Sequence, residues 1–228
     1  MSAHHLPGDP PVPLILRRSA RARRISLRVS SLDGRVTLTL PKNLPEREAL
    51  DFAAEKEDWI RGHLSRQPEA VTVCIGTVLP VAGRALRVAQ GETRGVRIVG
   101  DALLVGGARP AKSLERYLKE LARDHLAAAS DDYAAKLGRS FSRLTLRDTR
   151  SRWGSCSSDG ALMYSWRLIL APPEVLRYVA AHEVAHLQEM NHSTAFWSLV
   201  HKLFGDYTAP RDWLRKNGSH LHRYIFAD

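Results

Sequence analysis

His182 and His186 stand four residues apart in the run His182-Glu183-Val184-Ala185-His186. On an α-helix, positions i and i+4 lie one turn apart on the same face, so both imidazoles can converge on one metal ion. Glu183 is turned by about 100° from His182, which sets its carboxylate beside that ion rather than on it. Zinc lowers the pKa of a water it binds to about 7, so a carboxylate there can take a proton from the water and later deliver it to a leaving amine. The chemistry these residues can do is metal-assisted hydrolysis of a peptide bond, with Zn2+ as cofactor and Glu183 as general base.

A catalytic zinc takes three protein ligands and keeps one position open. His192 lies six residues after His186, and a helix continued that far would turn it away from the first two histidines. The helix must therefore break, and Asn191 is the expected stop because asparagine tolerates the left-handed conformation. His192 is then the expected third ligand, with Asp206 as its competitor and Glu189 placed for an outer role. The spacing from His186 to His192 matches the metzincin signature, but Glu189 stands where that signature has glycine, and no later methionine exists for a Met-turn. A thermolysin-like site needs a later glutamate ligand, and no Glu follows Glu189.

Transition-state stabilisation needs a donor near the developing oxyanion. Tyr207, Tyr164, His201 and Arg152 are candidates, with Tyr207 preferred. Trp153-Gly154-Ser155-Cys156 reads in two ways. It is a strand end with Trp153 in the core and Gly154 at a bend, or it is the rim of the cleft, where an extended peptide pairs with a strand edge. Cys156 is not expected to bind the metal, because the three histidines fill the protein ligand positions.

The elements that must position these groups follow from periodicity. Val175, Leu176, Val179, Val184 and Leu187 mark a largely apolar helix that Pro172-Pro173 can start. Two imidazoles and a carboxylate on such a helix are costly to bury unless paired or ligated. Residues 141–150 and 161–170 read as strands joined through Ser157-Ser158-Asp159-Gly160, and 194–203 and 209–217 as helices. Upstream, Leu114, Leu118, Leu121 and Leu126 define a helix from Ser113 to Leu137 stopped by Gly138, with His125 a packed or exposed helix residue. Residues 71–106 suggest several short strands, and Gly106-Gly107 with Pro110 suggests a junction. Before them, Ile25–Val29 and Val36–Leu40 alternate about an Asp33-Gly34 turn, and Glu46–Leu64 has helical spacing, ended by Gln67-Pro68. The fold class is α+β: residues 1–13 disordered, 14–106 a β-rich part with one helix, and 107–228 a helical catalytic part.

Several linked segments resemble one family. They are Arg152-Trp153-Gly154-Ser155-Cys156, Trp166-Arg167-Leu168-Ile169-Leu170-Ala171-Pro172, His182-Glu183-Val184-Ala185-His186-Leu187, Met190-Asn191-His192-Ser193 and Phe196-Trp197. Together they resemble the YgjP-like metallopeptidases, distantly similar to SprT-type and other zincin proteases. The resemblance is strongest over 145–217 and extends to about 14–217. It implies a zincin-like catalytic half, with His182, His186 and His192 as ligands and Glu183 as catalytic acid/base.

With 228 residues and 44% hydrophobic content, the chain can bury a sizeable core. No basic segment leads into an apolar stretch near Met1, and nowhere do 18 apolar residues run together, so a cytoplasmic protein without a membrane span is expected. Cys74 and Cys156 are too few and too far apart for a disulfide framework. The net charge of +10 is uneven: residues 107–152 carry eleven basic against six acidic groups, whereas 153–228 carry seven of each. Arg17, Arg18, Arg21, Arg23, Arg24 and Arg28 form one cluster, and Arg139, Arg143, Arg147, Arg150 and Arg152 another. Such clusters can neutralise phosphates, so a DNA- or RNA-associated protein or protease is the alternative reading. They are also what the solvated faces of a basic protein look like, and no aromatic-interleaved RNA motif accompanies them.

Overall fold

Alternation in Val36–Pro41 buries Val36, Leu38 and Leu40 on one face and leaves the intervening threonines half-exposed, the pattern of a sheet covered on one side. In the computed structural model, which describes residues 4–30, 34–65 and 69–228, this strand is β4 of a four-stranded sheet. Its partners are β1 (His4–Leu6), β2 (Val12–Ser19) and β3 (Ser26–Val29), in the order β1-β2-β4-β3. β2 and β4 run parallel, and β3 pairs antiparallel with β4 as expected. Asp33 of the expected turn lies outside the described residues.

The start of the chain is a correction. Residues 1–13 were expected to be disordered, but His4–Leu6 pairs with Val12–Leu14 because Leu6, Val12 and Leu14 reach the core beneath the sheet. The proline-rich turn between them is held by Arg61, whose guanidinium donates to the carbonyls of Pro7 at 2.8 Å and Pro10 at 3.0 Å. The expected single helix is two, α1 (Glu46–Glu55) and α2 (Glu57–Leu64), interrupted at Lys56 with φ −102° and ψ 16°. Gln67 and Pro68, the expected stop, lie outside the described residues.

The chain divides into two units, Met1–Glu69 and Ala70–Asp228, so the boundary falls well before the expected junction at 106–107. The reason is burial: Leu103 and Val105 share one core with Leu114 and Leu118 across that junction. In this second unit β6 (Val78–Val81), β7 (Arg84–Gln90), β8 (Gly95–Val99) and β9 (Ala102–Gly106) form a sheet in the order β6-β7-β9-β8. A two-residue strand, β5 (Val71–Thr72), pairs with β13 (Tyr224–Ile225) near the other end of the chain. α3 (Pro110–Leu137) buries Leu114, Leu118, Ala122, Leu126, Ala129 and Tyr133 along one face, and Gly138 ends it in the left-handed conformation at φ 67°. Among the described residues no helix is long and apolar enough to cross a membrane.

A second sheet supports the histidine helix. β10 (Arg143–Arg147) runs parallel to β12 (Ala161–Ser165), and β11 (Gly154–Cys156) pairs antiparallel with β12, in the order β10-β12-β11. The turn at Ser157–Gly160 therefore joins β11 to β12, not 141–150 to 161–170. The expected strand over 161–170 also stops early: Trp166–Leu170 is a 3₁₀ turn whose five side chains are all buried. Burial on every side of consecutive residues suits a tight helical turn better than a two-faced strand.

Arg167 in that turn is 9% exposed and makes four hydrogen bonds. It forms a two-pronged pair with Asp148, at 2.7 and 3.0 Å, and donates to the carbonyls of Leu221 at 3.0 Å and Tyr224 at 3.1 Å. One guanidinium thus ties the segment after β10 to the last strand. α4 (Pro173–Ala185), α5 (Thr194–Phe204) and α6 (Thr208–Asn217) complete the unit.

Candidate metal centre and catalytic cleft

α4 starts at Pro173 and carries His182 and Glu183 in its last turn, with His186 as the C-terminal cap. The helix was expected to run to Asn191. It ends at Ala185 because the chain tightens: the amides of Leu187 and Gln188 bond to the carbonyls of Val184 and Ala185, three residues back. The turn lets Nδ1 of His186 meet the Glu189 carbonyl at 2.8 Å, which leaves Nε2 for ligation. It is the backbone carbonyl of Glu189, not its carboxylate, that meets His186. Asn191 does not adopt the left-handed conformation; its side-chain oxygen accepts from the Ser193 amide, and the Ser193 hydroxyl accepts from Phe196 to cap α5. His192 is fixed between these two caps.

The result is a cluster in which one nitrogen from each of His182, His186 and His192 lies within 4.8 Å of the others. The Nε2 atoms of His182 and His192 are 3.1 Å apart. Two nitrogens on one tetrahedral zinc, each at about 2.0–2.1 Å, lie about 3.3 Å apart, so the pair fits that ion. Asp206, the competing ligand, instead accepts from the Thr208 amide at 2.9 Å at the start of α6.

An aromatic shell holds the cluster. Phe196 is fully buried and stacks on His186 at 4.4 Å between ring centroids, and Trp197 stacks on His192 at 5.8 Å. Nδ1 of His182 is buried without a hydrogen-bond partner, with Phe196 at 4.9 Å from its ring. Burial, reinforced by His186, His192 and Arg211, pushes the His182 imidazole down to about 3, and burial lowers His186 as well. Neutral imidazoles are the form that binds metal.

Glu183 is 5% exposed, and burial pushes its carboxyl up to about 8 against the pull of Arg152. Its room is made by Gly154: a Cβ there would stand 2.5 Å from Cγ and Oε1 of Glu183. Sequence reasoning treated Gly154 as a bend and missed this contact. The pairing of a strand-edge glycine with a helix glutamate across 29 positions leaves no local signal. Cys156, on the same strand, is half-buried; burial, with the Glu183 and Asp159 charges, pushes its thiol up to about 11. It stands outside the histidine cluster.

The four donor candidates separate. Tyr164 is buried against the Ser130 hydroxyl at 3.0 Å. Tyr207 precedes α6, stacks on Tyr178 at 6.1 Å and packs on Trp197 at 5.2 Å, and neither it nor His201 lines the hollows around Glu183. Arg152 lines both hollows.

A helix bearing His-Glu-x-x-His, a third histidine on the following turn and a strand edge alongside define a metallopeptidase. The chain belongs to the YgjP-like family, whose model, described as "YgjP-like, metallopeptidase domain", matches residues 23–217. Among solved structures it is similar to the metallopeptidase zymogen abylysin of Pyrococcus abyssi, at 23% identity and TM-score 0.31 over 45% of this chain and 91% of that one. The zymogen jannalysin of Methanocaldococcus jannaschii is similar at 16% identity and TM-score 0.35 over 42% of this chain and 96% of that one. No curated protein matches the chain.

Proposed function

We propose that the protein is a zinc-dependent peptidase in which His182, His186 and His192 hold the metal and Glu183 is the general base and later the general acid. The observation that carries this reading is the convergence of three imidazole nitrogens within 4.8 Å, with the buried Glu183 in the cleft beside them. Three imidazoles are a donor set that suits zinc among divalent ions and leave a fourth tetrahedral position open. Zinc, when bound, supplies a Lewis acid that brings the pKa of water to about 7 and polarises a carbonyl.

The chain's own residues do the rest. Glu183, fixed against Gly154, takes a proton from the attacking water and passes it to the amine that departs. Among the described residues β11 pairs with β12 alone, and its unpaired edge supports substrate binding by strand addition beside the histidines. Glu183→Gln removes the proton acceptor and keeps the shape. The variant is expected to retain zinc at wild-type stoichiometry and lose peptide cleavage by several orders of magnitude. Undiminished cleavage by it would sink the reading.

A second reading places nucleic acid beside the peptidase, because Arg17, Arg18, Arg21, Arg23, Arg24 and Arg28 are all exposed. It requires salt-dependent binding of DNA or RNA that stimulates cleavage, and failure to bind at low salt removes it.

A further inference from the structure

Two hollows meet at Glu183. One, about 230 Å³, is walled by Trp153, Tyr178, Val179 and Leu214. The other, about 420 Å³, runs along Ser155 and Cys156 to Met190 and the histidines. Arg152 borders both, and it is the one arginine or lysine among their described lining residues. Its side chain is exposed and has no hydrogen-bond or ion-pair partner among the described residues, in contrast to Arg167, whose three guanidinium nitrogens all donate to protein acceptors.

A cation bordering a cleft with no protein acceptor on its fork concentrates anionic groups and repels cationic ones. The planar fork of a guanidinium matches a carboxylate with two parallel hydrogen bonds. Arg152 stands two residues before Gly154, the first residue of β11. A peptide laid along that edge advances about 3.3 Å per residue, so the group that meets Arg152 belongs to a residue close to the bond presented to Glu183.

We propose that Arg152 determines specificity by taking a carboxylate that the substrate carries within two residues of the scissile bond. The assignment rests on the peptidase reading above. The carboxylate has two sources, an Asp or Glu side chain or the free C-terminus of the peptide, and they make the enzyme an acid-directed endopeptidase or a carboxypeptidase respectively.

The test uses the full-length, zinc-loaded protein and one cleavable peptide varied through Glu, Gln and Lys at the two positions on each side of the scissile bond. Every peptide is made with a free and an amidated C-terminus, and kcat/KM is read for wild type, Arg152→Gln and Arg152→Glu. In the wild type, Glu is expected to exceed Lys by about tenfold or more at one position; if the C-terminus is the ligand, the free acid exceeds the amide by as much. Arg152→Gln flattens the preference and Arg152→Glu reverses it, both at wild-type zinc content because the side chain is exposed. A fall in kcat equal for all peptides, with the charge preference intact, assigns Arg152 to the transition state and overturns the proposal. Absence of any charge preference in the wild type overturns it as well. If the zinc-loaded wild type cleaves no peptide in a proteome-derived library, the peptidase reading itself has failed, an outcome distinct from cleavage without preference.

Discussion

Gly154 and Glu183 are in contact: a methyl group on the α-carbon of Gly154 would lie 2.5 Å from both Cγ and Oε1 of Glu183. No real Cβ tolerates that approach, so Gly154→Ala must push the carboxylate aside. A misplacement near 1 Å costs about a hundredfold in rate when the group must meet a reacting atom. The variant is expected to bind zinc normally, since its histidines are untouched, and to lose about a hundredfold in kcat. Metal analysis alongside kcat separates this from unfolding, and full activity would show that Glu183 is free to move.

Phe196 couples the fold to the ligands. It is fully buried and its ring stacks on His186. Phe196→Ala is expected to cost about 3–5 kcal/mol of stability by opening a cavity, whereas Phe196→Leu costs less. Loss of the support for His186 lowers zinc affinity by about ten- to a hundredfold, because groups that orient a ligand act at that scale. Competition with a zinc-binding dye measures the second effect in the better-folded Leu variant. An unchanged affinity there would confine Phe196 to packing.

Zinc removal should also loosen the fold. The cluster draws on α4 and on the turn before α5, so the ion binds the folded state in preference to the unfolded one. At a free zinc concentration about a hundred times Kd, binding contributes about 2.7 kcal/mol. Chelation is therefore expected to lower Tm, and added zinc to restore it. Substituting His192 with alanine should erase most of that response, and a Tm indifferent to chelator would argue against His182, His186 and His192 as a joint site.

Arg167 holds the second unit together around the site. Arg167→Ala leaves the Leu221 and Tyr224 carbonyls and Asp148 without their donor; with the Asp148 carboxylate 42% exposed and able to rehydrate, the expected cost is about 1–3 kcal/mol. Lysine restores charge but not the fork, so Arg167→Lys should recover only part of this in urea denaturation. Equal stability of Arg167→Lys and wild type would show that charge alone matters.

Stability should fall on the acid side in two steps. Burial, reinforced by the Arg167 charge and opposed by Asp148, pushes His222 down to about 4 from its ordinary 6.5. Between these values the unfolded chain binds a proton that the folded chain does not, so stability declines as pH drops through that window. For Asp148, burial alone would raise the carboxyl; the hydrogen bonds and charge of Arg167 outweigh it and hold it below its ordinary 3.8. Its contribution is present above 3.8 and is lost as pH falls further. Urea midpoints against pH for His222→Gln should show a shallower slope between about 6.5 and 4 than the wild type, the remainder coming from the other depressed histidines, His182 and His186, while keeping the loss below it.

The sequence by itself located the histidine cluster. Spacing on a helix placed His182, Glu183 and His186, and the need for a third ligand beyond a helix break pointed to His192. The structure gathers the three imidazoles these inferences singled out, because helical period is a local property and ligand chemistry restricts residue types. The paired strands β3 and β4, α3 with its Gly138 stop, and the helices after His192 were legible for the same reason.

Tertiary structure decided what depends on residues distant in sequence. Leu6 and Val12 find the sheet core and order the start of the chain; Leu103 and Val105 share a core with α3 and move the unit boundary; five consecutive buried side chains turn Trp166–Leu170 into a 3₁₀ segment. At the site, the helix stop belongs to His186 and the Glu189 carbonyl rather than to Asn191, Gly154 makes room for Glu183, and Arg152 lines the hollows at Glu183 while Tyr207 packs against Tyr178 and Trp197. Each is set by packing between elements, where burial and close approach are defined only once the chain has folded, and no period along the sequence encodes them.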